Sequence, residues 1–344
     1  MTHTTQKMKA VGFYRFLPLS DPQSLLDLEL PTPVPAGTDI LVRIKAISVN
    51  PADLMVRSRG NDGDAPKVLG WDAAGIVEQV GPDCTIFQPG DEVYYAGDLN
   101  RPGSNSEFQL VDERIVGRKP KSVDFAQAAA MPLTSLTAWE GLYERMGVSH
   151  DKRENENKTI LIIGAAGGVG SIATQLAKNA GLTVIGTSSR TQSSEWVKAN
   201  GADFIINHKL AFAPQLKELG IETVDMIFCL NHTAGHWDNM AEVIRPQGKI
   251  CSVVPVNEPI NLDVLLYKSV SFHWEFMFTR SLFQSKDMLE QHRILTAVGD
   301  KIDAKQVKTT LTQRLTPIDA ANLRVAHEKI QAGDMIGKLV VEGF

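Results

Sequence analysis

The first third of the chain alternates short apolar runs with Gly, Pro and Asp. KAVGF, DILVRIKAISV, AAGIVEQVG, DEVYYAG and FQLV, between Met8 and about Val116, each have a strand's length, and the punctuation between them is tight-turn chemistry. This pattern predicts a compact, mostly β domain. After Pro120 the period changes. FAQAAAMPLTSLTAWEGLYERMG spaces its Ala, Leu and aromatic positions as one or two helices, and SHDKRENENK after it reads as an exposed loop. From Thr159 a regular βα rhythm sets in. TILIIGA, TVIGTS, DFIIN, DMIFCL and KICSVVP are buried-strand runs, and SIATQLAKNAG, SSEWVKANG and HWDNMAEVIRPQG are helices between several of them. SVSFHWEFMF predicts a further strand, Leu282 to Val298 a helix, and the last forty or so residues a helix followed by a strand.

These patterns predict an α/β protein of two domains. A β-rich domain takes residues 1–130 and 301–344, made discontinuous by the returning tail. A doubly wound parallel-sheet domain takes residues 131–300. The length of 344 residues agrees, at about 150 residues per domain. A formal charge of −5 and the lack of a basic block argue against nucleic acid as a partner. Cys84, Cys229 and Cys251, odd in number and scattered, support neither a disulfide framework nor a four-thiolate metal knuckle, and fit a reducing compartment. MTHTTQKMKAV lacks the apolar core of a signal peptide, and no stretch offers the roughly 20 apolar residues of a membrane helix. The expectation is a soluble cytoplasmic protein with no membrane partner.

The strongest chemical signal is TILIIGAAGGVGSIATQLAKNAG. An apolar strand delivers Gly164, Gly167, Gly168 and Gly170 directly into a helix, the context of a dinucleotide fingerprint. Glycines allow the tight turn and let a pyrophosphate approach the backbone N–H groups, whose partial positive charge favours anions. Val169 suits the core side of the turn. The loop departs from GxGxxG in one respect: with its last two glycines laid on Gly167 and Gly170, Ala165 stands where the first would fall. About 20 residues on, where NAD sites commonly place a carboxylate, the chain has Thr187, Ser188, Ser189 and Arg190. Hydroxyls and a guanidinium suit a 2′-phosphate, so the cofactor expected is NADPH (NADP). The competing reading is an ordinary polar loop with a surface arginine.

NPAD at Asn50 to Asp53, LGWDAAGIVEQVG from Leu69, PLTSLTAW from Pro132 and GAAGGVG together resemble the medium-chain dehydrogenase/reductase superfamily, in its quinone oxidoreductase and zinc-type alcohol dehydrogenase-like branch. The resemblance covers nearly the whole chain. It implies a GroES-like substrate domain, a Rossmann domain, catalysis in the cleft between them, hydride transfer from NADPH to a quinone or an electron-poor alkene, and a homodimer. Zinc members of the superfamily ligate metal through a cysteine and a histidine at positions that here are Asn50 and Trp71. An amide and an indole are poor substitutes, so no catalytic zinc is expected. The Cys₄ lobe of zinc-containing relatives is also absent between Val93 and Gln109.

By the same resemblance Asn50 and Asp53 shape the nicotinamide and substrate cleft, although Asp53 also suits a helix cap. Trp71 is an apolar wall of the site or a structural aromatic. Thr134 and Thr137 fall beside the nicotinamide, or else satisfy nearby backbone groups. Asn231 and His232 follow the fourth Rossmann strand at the ligand-binding edge, while His236 reads as a loop histidine with no role. Val254 and Pro255 offer backbone groups to the carboxamide, and Lys338 is a cofactor candidate in the tail. The expected proton donors are Asp53, solvent, or Tyr94 and Tyr95 after the turn beside the cleft, either of which also reads as a strand aromatic. The expected activity is NADPH-dependent reduction of a quinone or α,β-unsaturated carbonyl compound. The alternatives are a carbonyl or alcohol oxidoreductase and a non-catalytic NADPH-binding protein.

Overall fold

The computed structural model describes residues 6–61 and 63–344. It divides into two units, one formed by the chain up to Leu133 and again from Phe278 to Phe344, the other by Thr134–Met277.

The first unit is built on a seven-stranded sheet. Its order is Leu311–Leu315, Lys338–Glu342, Asp39–Ser48, Ala73–Val80, Glu92–Tyr95 and Val116–Arg118, with Phe108–Asp112 also pairing to Asp39–Ser48. Asp39–Ser48 is the axis of this sheet and most of its apolar side chains are fully buried. The strand near the carboxyl end of the chain joins it in antiparallel register, Val340 opposite Ser48, which makes the unit discontinuous as the tail pattern suggested. A second sheet orders Leu26–Pro31, Lys7–Phe13 and Lys67–Val68. Residues 278–300, placed by sequence in the parallel-sheet domain, belong instead to this unit. The helix Leu289–Asp303 packs its apolar side, including the buried Ile294, Leu295 and Val298, on the Val116–Arg118 strand.

The second unit has six strands, all parallel, ordered Phe204–Ile206, Thr183–Thr187, Thr159–Ile163, Val224–Cys229, Ile244–Ser252 and Ser271–Trp274. The order reverses at the Thr159–Ile163 strand, so the sheet is doubly wound, and ligands of such sheets bind beyond the carboxyl ends of the strands at that reversal. Leu161, Ile163, Ile185, Ile227 and Ile250 lie on one face and are closed over by Phe212, Leu216, Trp237, Met240 and Val243 from the helices. Cys229 and Cys251 are fully buried in their strands. Burial raises the Cys229 thiol to about 11, which keeps it protonated at neutral pH. The sequence runs the helix after His236 on to Gly248, but it stops at Val243, and Ile244–Ser252 is strand. No described helix is long and apolar enough to cross a membrane.

Candidate active site

In the second unit the glycine loop connects the Thr159–Ile163 strand to the helix Gly168–Asn179. Gly164 turns the chain with φ of 83°, a conformation that a side chain would strain. Gly170 has a different task. A Cβ there would sit 2.3 Å from the Gly164 carbonyl oxygen and 2.6 Å from Ala165 Cα, so only glycine lets the helix seat on the end of the strand. Gly167 begins the helix without a side-chain cap, and Gly167, Gly168 and Val169 are partly open to solvent. An uncapped first turn leaves N–H donors at the positive end of the helix dipole, which is what a pyrophosphate needs. Thr187 supports the loop from the neighbouring strand, its hydroxyl accepting the Gly164 N–H at 3.0 Å. Ser171 and Trp196 support it from behind, the indole N–H donating to the Ser171 hydroxyl at 2.7 Å. Sequence reading singled out neither Ser171 nor Trp196, because their pairing depends on two helices meeting.

Ser188, Ser189 and Arg190 leave the Thr183–Thr187 strand and lead into the helix Thr191–Ala199. Ser188 departs from expectation. It is nearly buried and its hydroxyl lies 2.5 Å from that of Ser193, so it shapes the turn rather than facing a ligand. Arg190 is exposed and Ser189 half-exposed, and no carboxylate stands among residues 187–190.

Asn231 is exposed and lies against Gly164, where an added Cβ would be 3.4 Å from the Cβ of Asn231. His232 has φ of 47°, and its Nδ1 accepts the Gly235 N–H at 2.8 Å, which closes the loop on itself. The Val254 carbonyl expected to meet the carboxamide instead accepts the Thr233 hydroxyl at 2.7 Å. Pro255 is exposed and has no N–H to give. Thr233 and Ser252, both buried and 2.7 Å apart through their hydroxyls, were missed by the sequence reading and hold these two loops together. Thr134 and Thr137 share one face of the helix Pro132–Trp139, and both are nearly buried. Glu275 was also missed, although a single acid within the apolar run SVSFHWEFMF is a signal. Its buried carboxylate forms an ion pair with Arg145, Oε2 lying 2.8 Å from Nε.

The first unit brings Asn50, Asp53, Asp72 and Lys338 together in a buried network. Lys338 Nζ donates to Asn50 Oδ1 at 2.5 Å, to Val49 O at 3.0 Å and to Asp72 Oδ2 at 3.0 Å. The Asn50 amide donates to Asp72 Oδ2 at 2.8 Å, and Asp72 Oδ1 accepts the Leu133 N–H at 2.7 Å. Burial pushes the Asp72 carboxyl above its ordinary range, while Lys338, the Leu133 N–H and the Asn50 amide act in the other direction. An ammonium has three protons and these three acceptors use them all, so Lys338 is not a cofactor ligand here but the clasp of this network. Asn50 is 1% exposed with both ends of its amide engaged, and it positions neighbours rather than touching substrate. Asp53 Oδ2 accepts the Asn50 N–H at 2.7 Å at the start of the helix Pro51–Ser58, the capping role left open by its sequence. Burial raises its carboxyl to about 7.

Three further expectations change. Tyr94 and Tyr95 are fully buried, their hydroxyls donating to Leu295 O at 2.5 Å and Gln109 Oε1 at 2.9 Å. Desolvation drives both phenols far above their ordinary range, so neither is a proton donor to substrate. Trp71 is also buried, its indole N–H donating to Asp98 O at 3.2 Å and its ring edge-on to Phe278 at 6.5 Å.

Residues 36–132 match the alcohol dehydrogenase GroES-like domain, and residues 168–291 match the zinc-binding dehydrogenase family. A zinc-type alcohol dehydrogenase-like protein of Staphylococcus aureus is 43% identical over 334 residues, covering 97% of this chain and 99% of its own. The chain belongs to the zinc-type alcohol dehydrogenase-like family. It is an oxidoreductase of the medium-chain dehydrogenase/reductase superfamily, with a GroES-like unit and a Rossmann unit, in the quinone-oxidoreductase branch. The crystal structure of a putative zinc-dependent alcohol dehydrogenase of Rhizobium etli superposes with a TM-score of 0.94 at 49% identity, covering 98% of this chain and 99% of that one. The quinone oxidoreductase of Coxiella burnetii superposes with a TM-score of 0.78 at 26% identity, covering 98% and 100%. The family uses a nicotinamide dinucleotide, and the uncapped, glycine-lined helix start fits one.

The zinc in the family's name does not fit these residues. The Asn50 amide is spent on Asp72 and Lys338, and the Trp71 indole offers no lone pair and donates to Asp98. Among the described residues no group of three or more His, Cys, Asp or Glu side chains is arranged to hold a metal ion.

Proposed function

We propose that this chain reduces a quinone or an α,β-unsaturated carbonyl compound with NADPH, without catalytic zinc. The observation that carries this reading is the engagement of Asn50 and Trp71 in hydrogen bonds to Asp72, Lys338 and Asp98. Without a metal to polarise it, a simple carbonyl is a poor hydride acceptor, whereas quinones and enones carry their own electron deficiency. NADPH supplies the hydride when bound.

The N–H groups of Gly168 and Val169 hold the pyrophosphate in this reading, and Ser189 and Arg190 hold the 2′-phosphate. Asn231, against Gly164, lines the same strand edge. With Tyr94 and Tyr95 locked inside, solvent delivers the proton that completes reduction. The network of Asn50, Asp72 and Lys338 also takes up the Leu133 N–H through Asp72 Oδ1. The deciding experiment follows NADPH oxidation with quinones, enones and simple aldehydes in parallel. Turnover of the first two is expected, and turnover of aldehydes alone overturns the reading. Arg190→Ala is expected to abolish a preference for NADPH over NADH.

A homodimer belongs to this proposal. Ser271–Trp274 is the last strand of its sheet and, among the described residues, pairs only with Ile244–Ser252, and Trp274 is half exposed. Leu262, Leu266 and Tyr267, on the turn of helix just before it, are exposed as well. An open strand edge beside apolar side chains suits isologous pairing with a second copy. Light scattering of the purified protein tests it, with a twofold mass expected and a single-chain mass against it.

A further inference from the structure

Two hydroxyls at the carboxyl edge of the Rossmann sheet close a ring of hydrogen bonds around Val254. Thr233 stands in the loop after Val224–Cys229, and Ser252 is the last residue of Ile244–Ser252. Their exposures are 1% and 0%. A carbonyl only accepts, so the Thr233 proton goes to Val254 O at 2.7 Å. The contact of 2.7 Å between the two hydroxyl oxygens then takes its proton from Ser252. Ser252 Oγ in turn accepts the Val254 N–H at 3.4 Å, a long bond that completes the circuit. Both backbone polar groups of Val254 are thereby held, one from its own strand and one from the neighbouring loop. That neighbouring loop is tied at its start as well. The Cys229 thiol donates to Asn231 O at 3.3 Å, and the Leu230 N–H to Ile163 O at 3.0 Å, beside the glycine loop.

A doubly wound sheet is built from two mononucleotide-binding halves, one on each side of the reversal in strand order. The NADPH reading above puts the adenosine half at Ser189 and Arg190, beyond Thr183–Thr187. The nicotinamide half then falls beyond Val224–Cys229 and Ile244–Ser252, where Thr233 and Ser252 join the two loops. We propose that Thr233 and Ser252 are positioning residues for hydride transfer, locking these loops so that the nicotinamide ring is held at one distance and tilt to the acceptor. The inference rests on the NADPH reading and adds two residues too buried to touch cofactor or substrate. A valine and an alanine would fill the same space, but only hydroxyls fix the direction of the Val254 N–H and carbonyl. The chemistry keeps its balance: the C–H bond at the nicotinamide C4 breaks, its electron pair and hydrogen pass to the acceptor carbon, and solvent protonates the reduced acceptor. A small displacement of the ring costs rate far more than affinity, because the pyrophosphate and adenosine half are held elsewhere.

Thr233→Val and Ser252→Ala break the ring from different segments, and Thr233→Ser keeps the hydroxyl. Stopped-flow single turnovers of the full-length protein with NADPH and a benzoquinone read the hydride-transfer rate. Fluorescence titration reads the Kd for NADPH, and thermal melts confirm that each variant is folded. Hydride transfer is expected to slow about 10- to 100-fold in Thr233→Val and Ser252→Ala, with the Kd for NADPH within about threefold of wild type. Thr233→Ser is expected to recover the rate, which a general loss of structure would not predict. Rates within about twofold of wild type in both variants, a slowing matched by an equal loss of affinity, or a slowing that Thr233→Ser shares, would each overturn this inference alone. A wild-type protein that transfers no hydride from NADPH to quinones or enones overturns the reading beneath it, and the inference with it.

Discussion

The ammonium of Lys338 lies 3.0 Å from the carboxylate of Asp72, both groups almost wholly buried, although 266 positions of chain separate them. Removing either partner strands a charge in a medium that solvates it poorly. Lys338→Met and Asp72→Asn are each expected to cost about 3–5 kcal/mol, and the double variant less than the sum of the two. Urea unfolding of the four proteins checks this. An additive double variant would mean that the two groups do not act as a pair.

Asp53 gives the stability a pH dependence. Its folded value, raised by burial to about 7, stands above the value of about 4 in an unfolded chain. A raised carboxyl favours the neutral form in the fold, so its contribution is complete below pH about 4 and is lost as pH rises through 7. Asp53→Asn keeps an acceptor for the Asn50 N–H and is expected to flatten that part of the profile. Denaturation midpoints at intervals between pH 5 and 8 supply the measurement, and an unchanged slope in the variant counts against the assignment.

Two glycines of one loop are expected to fail differently. Gly170→Ala forces a methyl into the Gly164 carbonyl at 2.3 Å, so it lowers thermal stability and nucleotide binding together. At Gly167 the nearest atom to a new Cβ is 3.5 Å away, an ordinary contact, so Gly167→Ala retains its melting temperature and loses only nucleotide affinity. Thermal melts paired with nucleotide fluorescence titrations separate the two cases.

Tyr94→Phe and Tyr95→Phe each remove a buried hydrogen bond, at a cost of about 1 kcal/mol, and are expected to leave kcat within about twofold of wild type. A loss of 100-fold in either would restore a phenol to the chemistry.

How much of this was legible in the sequence follows the range of the interactions. The Rossmann strands and the glycine loop were readable because strand, turn and helix are consecutive, and Gly164 and Gly170 act on atoms within six residues of each other. Lys338 looked like a cofactor ligand because its acceptors, Asn50 and Asp72, lie at the other end of the chain. Tyr94 and Tyr95 stood as proton donors because the resemblance places them after a turn beside the cleft, and their coverage comes from segments distant in sequence. Here Leu295, from a helix assigned by sequence to the other domain, covers one side and Gln109 the other. That misplaced helix accounts for the error at Tyr94.

The tail strand at Lys338–Glu342 also bears on synthesis. Asp39–Ser48 emerges from the ribosome early, yet one of its partner strands, Lys338–Glu342, and the cation that neutralises Asp72, arrive some 290 residues later. Growing at about 5–20 residues per second, the chain leaves Asp72 unneutralised for many seconds, while the whole parallel sheet between Thr159 and Trp274 has already been extruded. The nucleotide-binding unit is thus free to mature first, and the amino-terminal unit is the part that a chaperone would have to shelter.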